Sequence, residues 1–322
     1  MPEGPSVRVF HSVTSPFVGK VVQRASGSTK QVCLQQFVSL KLQHSEVHGK
    51  NLFLSFTSAG HGLGSDCPKV VRTHGQKIPD PAQRPALGSP SKQRVMEDGR
   101  LREEQEEARE SCALSLGQGQ LTPQHKRLWL RFHFGMFGSV RANEFSRAKR
   151  ANKKGDWKDP SPRLVLYFPG GQFLVFYNCR ICLCNSPPSG HSCDILHPKF
   201  SRNLALQALQ RAQPVCYTLL NQQLFSGLGN IIKNEVLYLS AIHPMSLGCM
   251  LHVDQLQKLL DNVIQFSHEW LDKKVKGKGL KYHIYQREQC PQGHAVERAD
   301  LGAPRCLQRP TWWCPVCQPA VH

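Results

Sequence analysis

The spacing of apolar residues changes once along this chain, near residue 200, and that change constrains the fold most. Before it, short apolar runs are broken by turn signals, as in "PRLVLYFPGGQFLVFYN", where Pro-Gly-Gly joins two runs. After it, "LDNVIQFSHEWL" places Leu260, Val263, Ile264 and Leu271 near one face of a helix. The chain is therefore predicted to be α+β, with an antiparallel β half followed by a helical half.

The β half is interrupted between residues 59 and 126 by a stretch of different composition. It contains no Phe, Tyr or Trp, is rich in Pro and Gly, and includes the charged run "EDGRLREEQEEARE". Such a stretch buries too little apolar surface to offset the entropy lost on ordering. We interpret it as a disordered insertion, in which the charged run is a solvated linker rather than a transient helix.

The net charge narrows the choice of partner. Lys and Arg total 41 against 23 Asp and Glu, which gives +18 at pH 7 and a pI near 9.5. Nucleic acid is the leading candidate, and a membrane is not, because no apolar run approaches the roughly 20 residues that span a bilayer. The N-terminus lacks the apolar core of a signal peptide, so the 13 cysteines are expected to be reduced and the clustered ones to bind metal.

Two helices are predicted on either side of the break "LFSGLGN", the first beginning at Pro214 and the second formed by "NIIKNEVLYLSAIHP". Gly227 and Gly229 permit a tight turn, and Asn230 falls where the free N–H groups of a helix start attract phosphate. An ordinary N-cap asparagine is the alternative from these residues alone.

The C-terminal segment has the spacing of a metal site. "CPQGH" and, nineteen residues later, "CPVC" supply four candidate ligands: Cys290, His294, Cys314 and Cys317. Because four protein ligands leave no open position, they predict one structural zinc ion, and no organic cofactor is expected. Cys306 in the spacer is a weaker candidate ligand. Arg309, in "QRPTWW", could clamp a phosphate or remain solvated.

A second cysteine group occurs in "NCRICLCNSPPSGHSC". Its C-x2-C and C-x-C spacings are compatible with a metal site. However, the group emerges from a predicted strand, and buried free cysteines are common in protein cores. We therefore interpret four cysteines as structural: Cys179, Cys182, Cys184 and Cys193.

Five separated stretches together resemble one family. They are "MPEGP" at the start, "HGKNLF" around Lys50, "FHFGMFGS" around Met136, "GLGNIIKNE" in the helical half and "QRPTWWCPVC" at the end. In this order they resemble the formamidopyrimidine and endonuclease VIII family of DNA glycosylases, most closely its vertebrate endonuclease VIII-like members. The resemblance covers nearly the whole chain apart from the insertion.

The resemblance implies a bilobal protein with DNA in a basic cleft between the lobes. The expected segments are a β-sandwich catalytic domain with an N-terminal helix (1–58 and 127–186), the insertion (59–126), a linker (187–199), a helix-two-turn-helix domain (200–283) and a zinc-finger β-hairpin (284–322).

It also implies a bifunctional glycosylase and AP lyase of base excision repair that acts on oxidised pyrimidines. After removal of Met1, the Pro2 amine would attack C1′ of the damaged nucleotide and form an iminium, from which β- and δ-elimination follow. Glu3 would transfer protons, whereas by itself it suggests an exposed terminal carboxylate. Lys50 would be a general acid or a phosphate contact, whereas by itself it suggests an exposed hairpin lysine.

Four further residues are implied to contact DNA. Asn230 and Arg309 would grip phosphates on either side of the extruded nucleotide, Met136 would fill the gap that it leaves, and Arg180 would face the orphaned base. Taken alone, Met136 suggests a core methionine and Arg180 a solvated arginine at a strand end.

Two positions depart from the family pattern. Cys182 stands two residues beyond Arg180, where an aromatic wedge is usual, and Ser6 stands where relatives often have an acidic residue. A cysteine stabilises a kinked duplex less than an aromatic ring does. We therefore hypothesise a bias toward single-stranded or bubble DNA.

Damaged DNA is thus the expected partner of a monomeric enzyme in the nucleus, with the cytoplasm as a second location. The insertion is not needed for the chemistry, and we expect it to be regulatory or to bind repair or transcription proteins.

Two other classes of function fit parts of the sequence. A non-catalytic zinc-containing DNA-binding protein leaves Pro2, Glu3 and Lys50 unexplained, and a chain built for protein contacts leaves both ends unexplained.

Overall fold

The computed structural model describes residues 1–58, 127–148, 151, 155, 157–302 and 308–320. The insertion predicted at 59–126 and the candidate ligand Cys306 lie outside the described residues. Both lobes discussed below belong to one compact unit. Within the described ranges, no helix combines the length and apolarity needed to cross a bilayer.

The N-terminal lobe contains one antiparallel sheet with the strand order β1-β5-β6-β4-β3-β2. Its strands are β1 (Arg24–Ser26), β2 (Leu40–His48), β3 (Asn51–Ser58), β4 (Leu128–Ala142), β5 (Leu164–Tyr167) and β6 (Phe173–Cys184). The long strands β4 and β6 pair with each other on both sides of a break between Phe134 and Ser139. The ring of Phe132, before the break, stacks 4.4 Å from that of Phe176, beyond it. The sheet therefore curls around one core, which gives the predicted sandwich.

An N-terminal helix, α1 (Gly4–Thr14), packs on this core. Pro5 lies in its first turn, where the missing N–H costs nothing and the fixed φ favours a helix. Val7 is fully buried, and the ring of Phe10 lies 4.7 Å from that of Phe134. The Pro-Ser-Val segment after Glu3 thus starts the helix and anchors it.

The C-terminal lobe is helical, as the change of period predicts. Its helices are α2 (Arg202–Leu209), α3 (Val215–Leu220), α4 (Asn230–Leu239) and α5 (Val253–Val275). The apolar face of α5 is buried at Leu260, Val263 and Trp270, whereas Ile264 and Leu271 lie partly buried beside it. Pro214 lies immediately before α3, and the glycine break separates α3 from α4.

A two-stranded hairpin, β7 (Glu297–Leu301) and β8 (Arg309–Trp313), follows the helices. It is attached to α4 by two buried polar residues of that helix. The Lys233 ammonium donates to the Thr311 hydroxyl at 2.7 Å, and the Asn234 carboxamide oxygen accepts from Trp312 N at 2.9 Å. The position of Arg309, the first residue of β8, is therefore tied to the start of α4.

Candidate active site and metal centre

The Glu3 side chain lies at the N-terminus of helix α4. Its carboxylate accepts hydrogen bonds from the backbone N–H groups of Gly229 (3.1 Å), Ile231 (2.7 Å) and Ile232 (3.2 Å). A helix start favours an anion, because its first N–H groups lack helical partners and the helix dipole is positive there. Only 4% of the Glu3 surface is exposed. The alternative of an exposed terminal carboxylate is therefore wrong.

This arrangement corrects the expectation that free N–H groups at the start of α4 receive phosphate. The donors at Gly229, Ile231 and Ile232 are already occupied by Glu3. The anion that the helix attracts belongs to the protein itself, so any phosphate contact in this region must use side chains or other N–H groups.

Glycines allow the N-terminus, the β2–β3 turn and the helical turn to meet. Gly4 N donates to the Gly227 carbonyl at 2.8 Å. Gly49 has a positive φ of 55°, and a Cβ there would overlap the hydroxyl of Ser226. A Cβ at Gly229 would overlap the carboxyl group of Glu3. The motifs "MPEGP", "HGKN" and "GLGN" therefore meet at one junction, where glycine is required for close approach.

Charged groups around this junction affect one another. Burial lowers the pKa of the N-terminal amine, which in the structure belongs to Met1; Glu3 raises that pKa, and Lys50 and Arg309 lower it further. Burial lowers the pKa of Lys50 to about 8, against the opposing effect of Glu3. Burial raises the pKa of Glu3, although Lys50 and the backbone N–H donors oppose this. Lys50 is half-buried, so the alternative of an exposed hairpin lysine is wrong.

Asn230 and Arg309 lie beside this group. Gly229 is the N-cap residue of α4 and Asn230 is the first helical residue, so the N-cap alternative for Asn230 is wrong. The Asn230 side chain instead donates to the Pro310 carbonyl at 2.8 Å, and its Oδ1 atom is buried without a hydrogen-bond partner among the described residues. This contact connects the helix start to β8 one residue after Arg309, which is itself half-buried rather than freely solvated.

Asp194, which fixes the β2–β3 turn, is a functional-site residue that no sequence motif indicated. Its buried carboxylate accepts from Gly49 N at 3.0 Å and forms an ion pair with Arg8 of α1 at 2.8 Å. Asp194 also accepts from Leu196 N at 3.1 Å. One carboxylate in the inter-lobe linker thus holds the residue before Lys50 and the helix after Glu3.

A row of residues extends from Lys50 across the sheet. Asn51 of β3 pairs with His133 of β4, which pairs with Arg180 of β6. His133 Nδ1 lies 3.2 Å from the Asn51 side-chain oxygen. Burial lowers the pKa of His133 to about 4, and Lys50, Arg131 and Arg180 add to this effect. His133 is therefore neutral at pH 7, beside a group of cations.

Met136 lies in the break of β4, next to Phe137. The two side chains are 65% and 88% exposed, so the alternative of a core methionine is wrong. Arg180 of β6 is half-buried and pairs with His133, three residues before Met136. Met136 therefore lies on the strand next to β3, which begins directly after Lys50, and Arg180 lies one strand further away.

The four cysteines of "NCRICLCNSPPSGHSC" do not form a metal-binding cluster in the described part of the chain. Cys179 is buried in the core of the N-terminal lobe, and burial raises its pKa to about 12. Cys182 pairs with Arg131 on β4. The structural interpretation of these cysteines is consistent with these positions.

The predicted C-terminal ligands do converge. The ligand atoms of Cys290, His294, Cys314 and Cys317 all lie within 4.8 Å of one another. His294 Nδ1 is 3.7 Å from Cys290 Sγ and 3.3 Å from Cys317 Sγ, and the last two sulfurs are 3.9 Å apart. A tetrahedral zinc site with ordinary bond lengths places its ligand atoms roughly 3.3–3.8 Å apart. The group therefore fits a tetrahedral metal ion with no open position.

Comparison with known proteins places this geometry in a family. Residues 192–281 match the model of the formamidopyrimidine-DNA glycosylase H2TH domain. The chain is 49% identical to mouse (Mus musculus) endonuclease 8-like 2 over 100% of its own length and 97% of that protein. It is 48% identical to the human (Homo sapiens) endonuclease 8-like 2, with the same coverage.

Solved structures agree on the fold. A viral DNA glycosylase superposes with a TM-score of 0.64 at 17% identity, over 98% of this chain and 99% of that one. The Lactococcus lactis Fpg protein, in a complex with DNA containing an abasic site, has a TM-score of 0.60 at 16% identity, over the same shares. The sequence relatives extend this agreement beyond the fold, and the chain therefore belongs to the endonuclease 8-like family of DNA glycosylases.

Proposed function

We propose that this DNA glycosylase and AP lyase of base excision repair acts through a covalent Schiff-base intermediate on Pro2. The observation that carries the proposal is the position of Glu3, adjacent to Pro2 in the chain and buried at the start of α4 beside Lys50. This places an acid, a cation and the terminal amine in one electrostatic group.

The Pro2 nitrogen is the nucleophile once Met1 has been removed. The surroundings that lower the pKa of the terminal amine, namely burial, Lys50 and Arg309, would act on Pro2 in the same way. A lowered pKa increases the neutral, nucleophilic fraction at pH 7. Pro2 N then bonds to C1′ while the glycosidic bond breaks. The base leaves with the electron pair of that bond and takes up the proton that the Pro2 nitrogen loses.

Glu3 moves the protons of this reaction. In its protonated form it delivers a proton to the sugar ring oxygen, and the ring opens as the C1′–nitrogen iminium forms. The iminium acidifies C2′, and loss of a C2′ proton expels the 3′ phosphate by β-elimination. A second elimination expels the 5′ phosphate, and hydrolysis releases the free amine. Burial raises the pKa of Glu3, which increases the fraction of the carboxyl group that carries a proton to give.

Lys50, Asn230 and Arg309 bind the phosphates that flank the extruded nucleotide, and Lys50 is also a candidate general acid. Their placement around Glu3 supports this role. Cys290, His294, Cys314 and Cys317 would hold one zinc ion, whose contribution is structural because the four ligands complete its coordination. A bound ion would hold together the two ends of the hairpin that carries Arg309.

The proposed substrates are oxidised pyrimidines and abasic sites, with a bias toward single-stranded or bubble DNA. Met136 fills the gap in the base stack, and Arg180 faces the orphaned base. The bias is supported by Cys182, whose half-buried thiol at the usual wedge position offers little surface for stacking between bases. Damaged DNA as the partner agrees with the solved relative bound to abasic-site DNA.

We further propose a monomer that works in the nucleus, with the cytoplasm as a second location, and an insertion at 59–126 that is regulatory or binds repair or transcription proteins. The charge of +18 supports a polyanionic partner and predicts binding that weakens steeply with salt.

Borohydride trapping tests the covalent step. The purified protein is incubated with an oligonucleotide that contains an abasic site or 5-hydroxyuracil, reduced, and digested, and the adduct is located by mass spectrometry. We expect the adduct on the Pro2 nitrogen of the wild type, and a strongly reduced yield of adduct in the Pro2→Gly variant. Tight DNA binding without any adduct, by a protein shown to lack Met1, would support the non-catalytic DNA-binding alternative.

A further inference from the structure

The break in strand β4 exposes an aromatic ring that the proposed chemistry does not use. Phe137 is 88% exposed, the highest fraction among the exposed large apolar side chains of the described residues. Its neighbour Met136 is 65% exposed. A ring this exposed gains almost nothing from packing within the protein, so its faces are open to a ligand.

The backbone at Phe137 is held in place by strand β6. Phe137 has a φ of 62°, a left-handed conformation that is unfavourable for a bulky residue. The Asn178 side chain donates to the Met136 carbonyl, and Asn178 itself has a φ of 42°. A Cβ at Gly138 would lie only 2.6 Å from the Asn178 carbonyl oxygen. Such backbone strain persists only where surrounding structure imposes it, and it clusters at functional sites.

The sheet register places Phe137 a short distance along β4 from the row of residues that begins beside Lys50. The row Asn51, His133 and Arg180 crosses three adjacent strands directly beyond Lys50. Met136 is three residues beyond His133, and three residues of extended chain span at most about 10 Å. The backbone of Phe137, four residues beyond His133 on β4, therefore lies within at most about 14 Å of that row.

We propose that Phe137 stacks on a base of the damaged strand next to the extruded nucleotide and thereby favours single-stranded and bubble DNA. This inference rests on the proposed function and deepens it. Aromatic rings bind unpaired bases with little sequence preference, because every base has a π-face. In a duplex the neighbouring base is already stacked and paired, so an added ring contributes less there.

Affinity for an uncleavable substrate tests this role. Oligonucleotides with a tetrahydrofuran abasic analogue are presented as a single strand, a bubble and a duplex, to wild type, Phe137→Ala and Phe137→Trp. Base–aromatic stacking of about 1–3 kcal/mol corresponds to a loss of roughly 5- to 150-fold. We expect this loss for Phe137→Ala on the single strand and bubble, a smaller loss on the duplex, and retained affinity for Phe137→Trp. Trp157→Ala, which removes an aromatic side chain that is 69% exposed, is the matched control and should bind like wild type.

Two further readouts separate stacking from a structural role. A 2-aminopurine placed on either side of the analogue should be quenched on one side by wild type, and less by Phe137→Ala. Phe137→Gly should melt at a higher temperature than wild type, because glycine accepts the positive φ, yet show the same loss of affinity.

The proposal is overturned if Phe137→Ala weakens only duplex binding, which would assign the ring to the opposite strand, or if it weakens none of the three. A lower melting temperature of Phe137→Gly would also overturn it, by showing that the ring serves the fold. Because the analogue cannot react, these results do not depend on trapping at Pro2. The covalent mechanism can therefore fail while the stacking role holds, or the reverse.

Discussion

The Glu3 carboxylate accepts a hydrogen bond from the backbone N–H of Gly229, a residue 226 positions later in the chain. The absence of a side chain at residue 229 is what permits this contact, because a Cβ there would overlap the Glu3 carboxyl group. The N-terminal end of one lobe thus lies directly against the helix start of the other lobe.

Gly229→Ala should therefore impair catalysis by displacing Glu3. Displacement of a catalytic group by about 1 Å costs on the order of 100-fold in rate, and overpacking should also destabilise the fold by about 1–3 kcal/mol. Single-turnover cleavage and urea denaturation measure the two effects. Gly279→Ala is the control, since a Cβ at Gly279 meets nothing within 4 Å. If both variants cleave at the wild-type rate, the position of the Glu3 carboxylate at the start of α4 is not needed for the reaction.

Activity should fall as pH rises through about 8, the pKa to which burial lowers Lys50 in the folded protein. Whether Lys50 acts as a general acid or as a phosphate contact, it must be protonated, so kcat/KM should decline above that pH. Lys50→Arg stays charged in this range and should lose the decline in a pH–rate profile, at some cost in rate.

Deprotonation of Lys50 cannot produce the same decline in activity by unfolding the protein. The unfolded chain keeps the Lys50 proton up to about 10.5, whereas the folded chain releases it near 8. The unfolded state therefore binds more protons between these values, and the contribution of Lys50 to stability increases with pH there. If kcat/KM of the Lys50→Arg variant declines above pH 8 as it does in the wild type, the decline belongs to another group.

Asp194→Asn should loosen the turn that carries Lys50. The buried carboxylate bonds to Arg8 and Gly49 N, and hydrogen bonds to charged groups contribute about 1.5–3 kcal/mol each. We expect the free energy of unfolding, measured by urea denaturation, to be about 2–3 kcal/mol lower than in wild type. Asp159→Asn is the matched control, because it removes an exposed ion pair with Arg147 at 3.0 Å, and exposed pairs contribute little to stability. Equal losses in the two variants would contradict this role of Asp194.

The sequence predicted features that depend on short-range spacing better than those that depend on tertiary contact. Apolar periodicity indicated the β half and the helix α5, and two local ligand pairs predicted the cluster at Cys314. The partners of Glu3 were not predictable in this way, because its acceptor role depends on which helix start packs against the N-terminus. The same reason explains why the donors at Ile231 were expected to be free for phosphate, and why Asp194 gave no signal.

Phe137 shows a different limit of sequence analysis. The motif "FHFGMFGS" indicated Met136 through the family resemblance. The neighbouring phenylalanine is of a residue type that is usually buried in protein cores, so the sequence did not single it out. Its exposure follows from the break in β4 and from the contact of Asn178 with the Met136 carbonyl. Such a break depends on pairing between strands, which the residues of one strand do not specify.

Removal of the metal should weaken DNA binding through Arg309 rather than through the N-terminal lobe. The cluster holds the hairpin that carries Arg309, while the core of the N-terminal lobe contains none of its ligands. Arg309→Ala should remove one phosphate contact and reduce the slope of log affinity against log salt by about 1. Cys314→Ser, or chelation, should reduce the slope by at least as much and lower affinity about 10-fold, since a zinc hairpin without its metal loses its fold.

Cys249→Ser, at an exposed cysteine outside the cluster, is the control. If Cys314→Ser and Cys249→Ser give the same salt slope as wild type, the hairpin holds Arg309 without its metal, and the interactions of Lys233 and Asn234 with β8 are sufficient to position it.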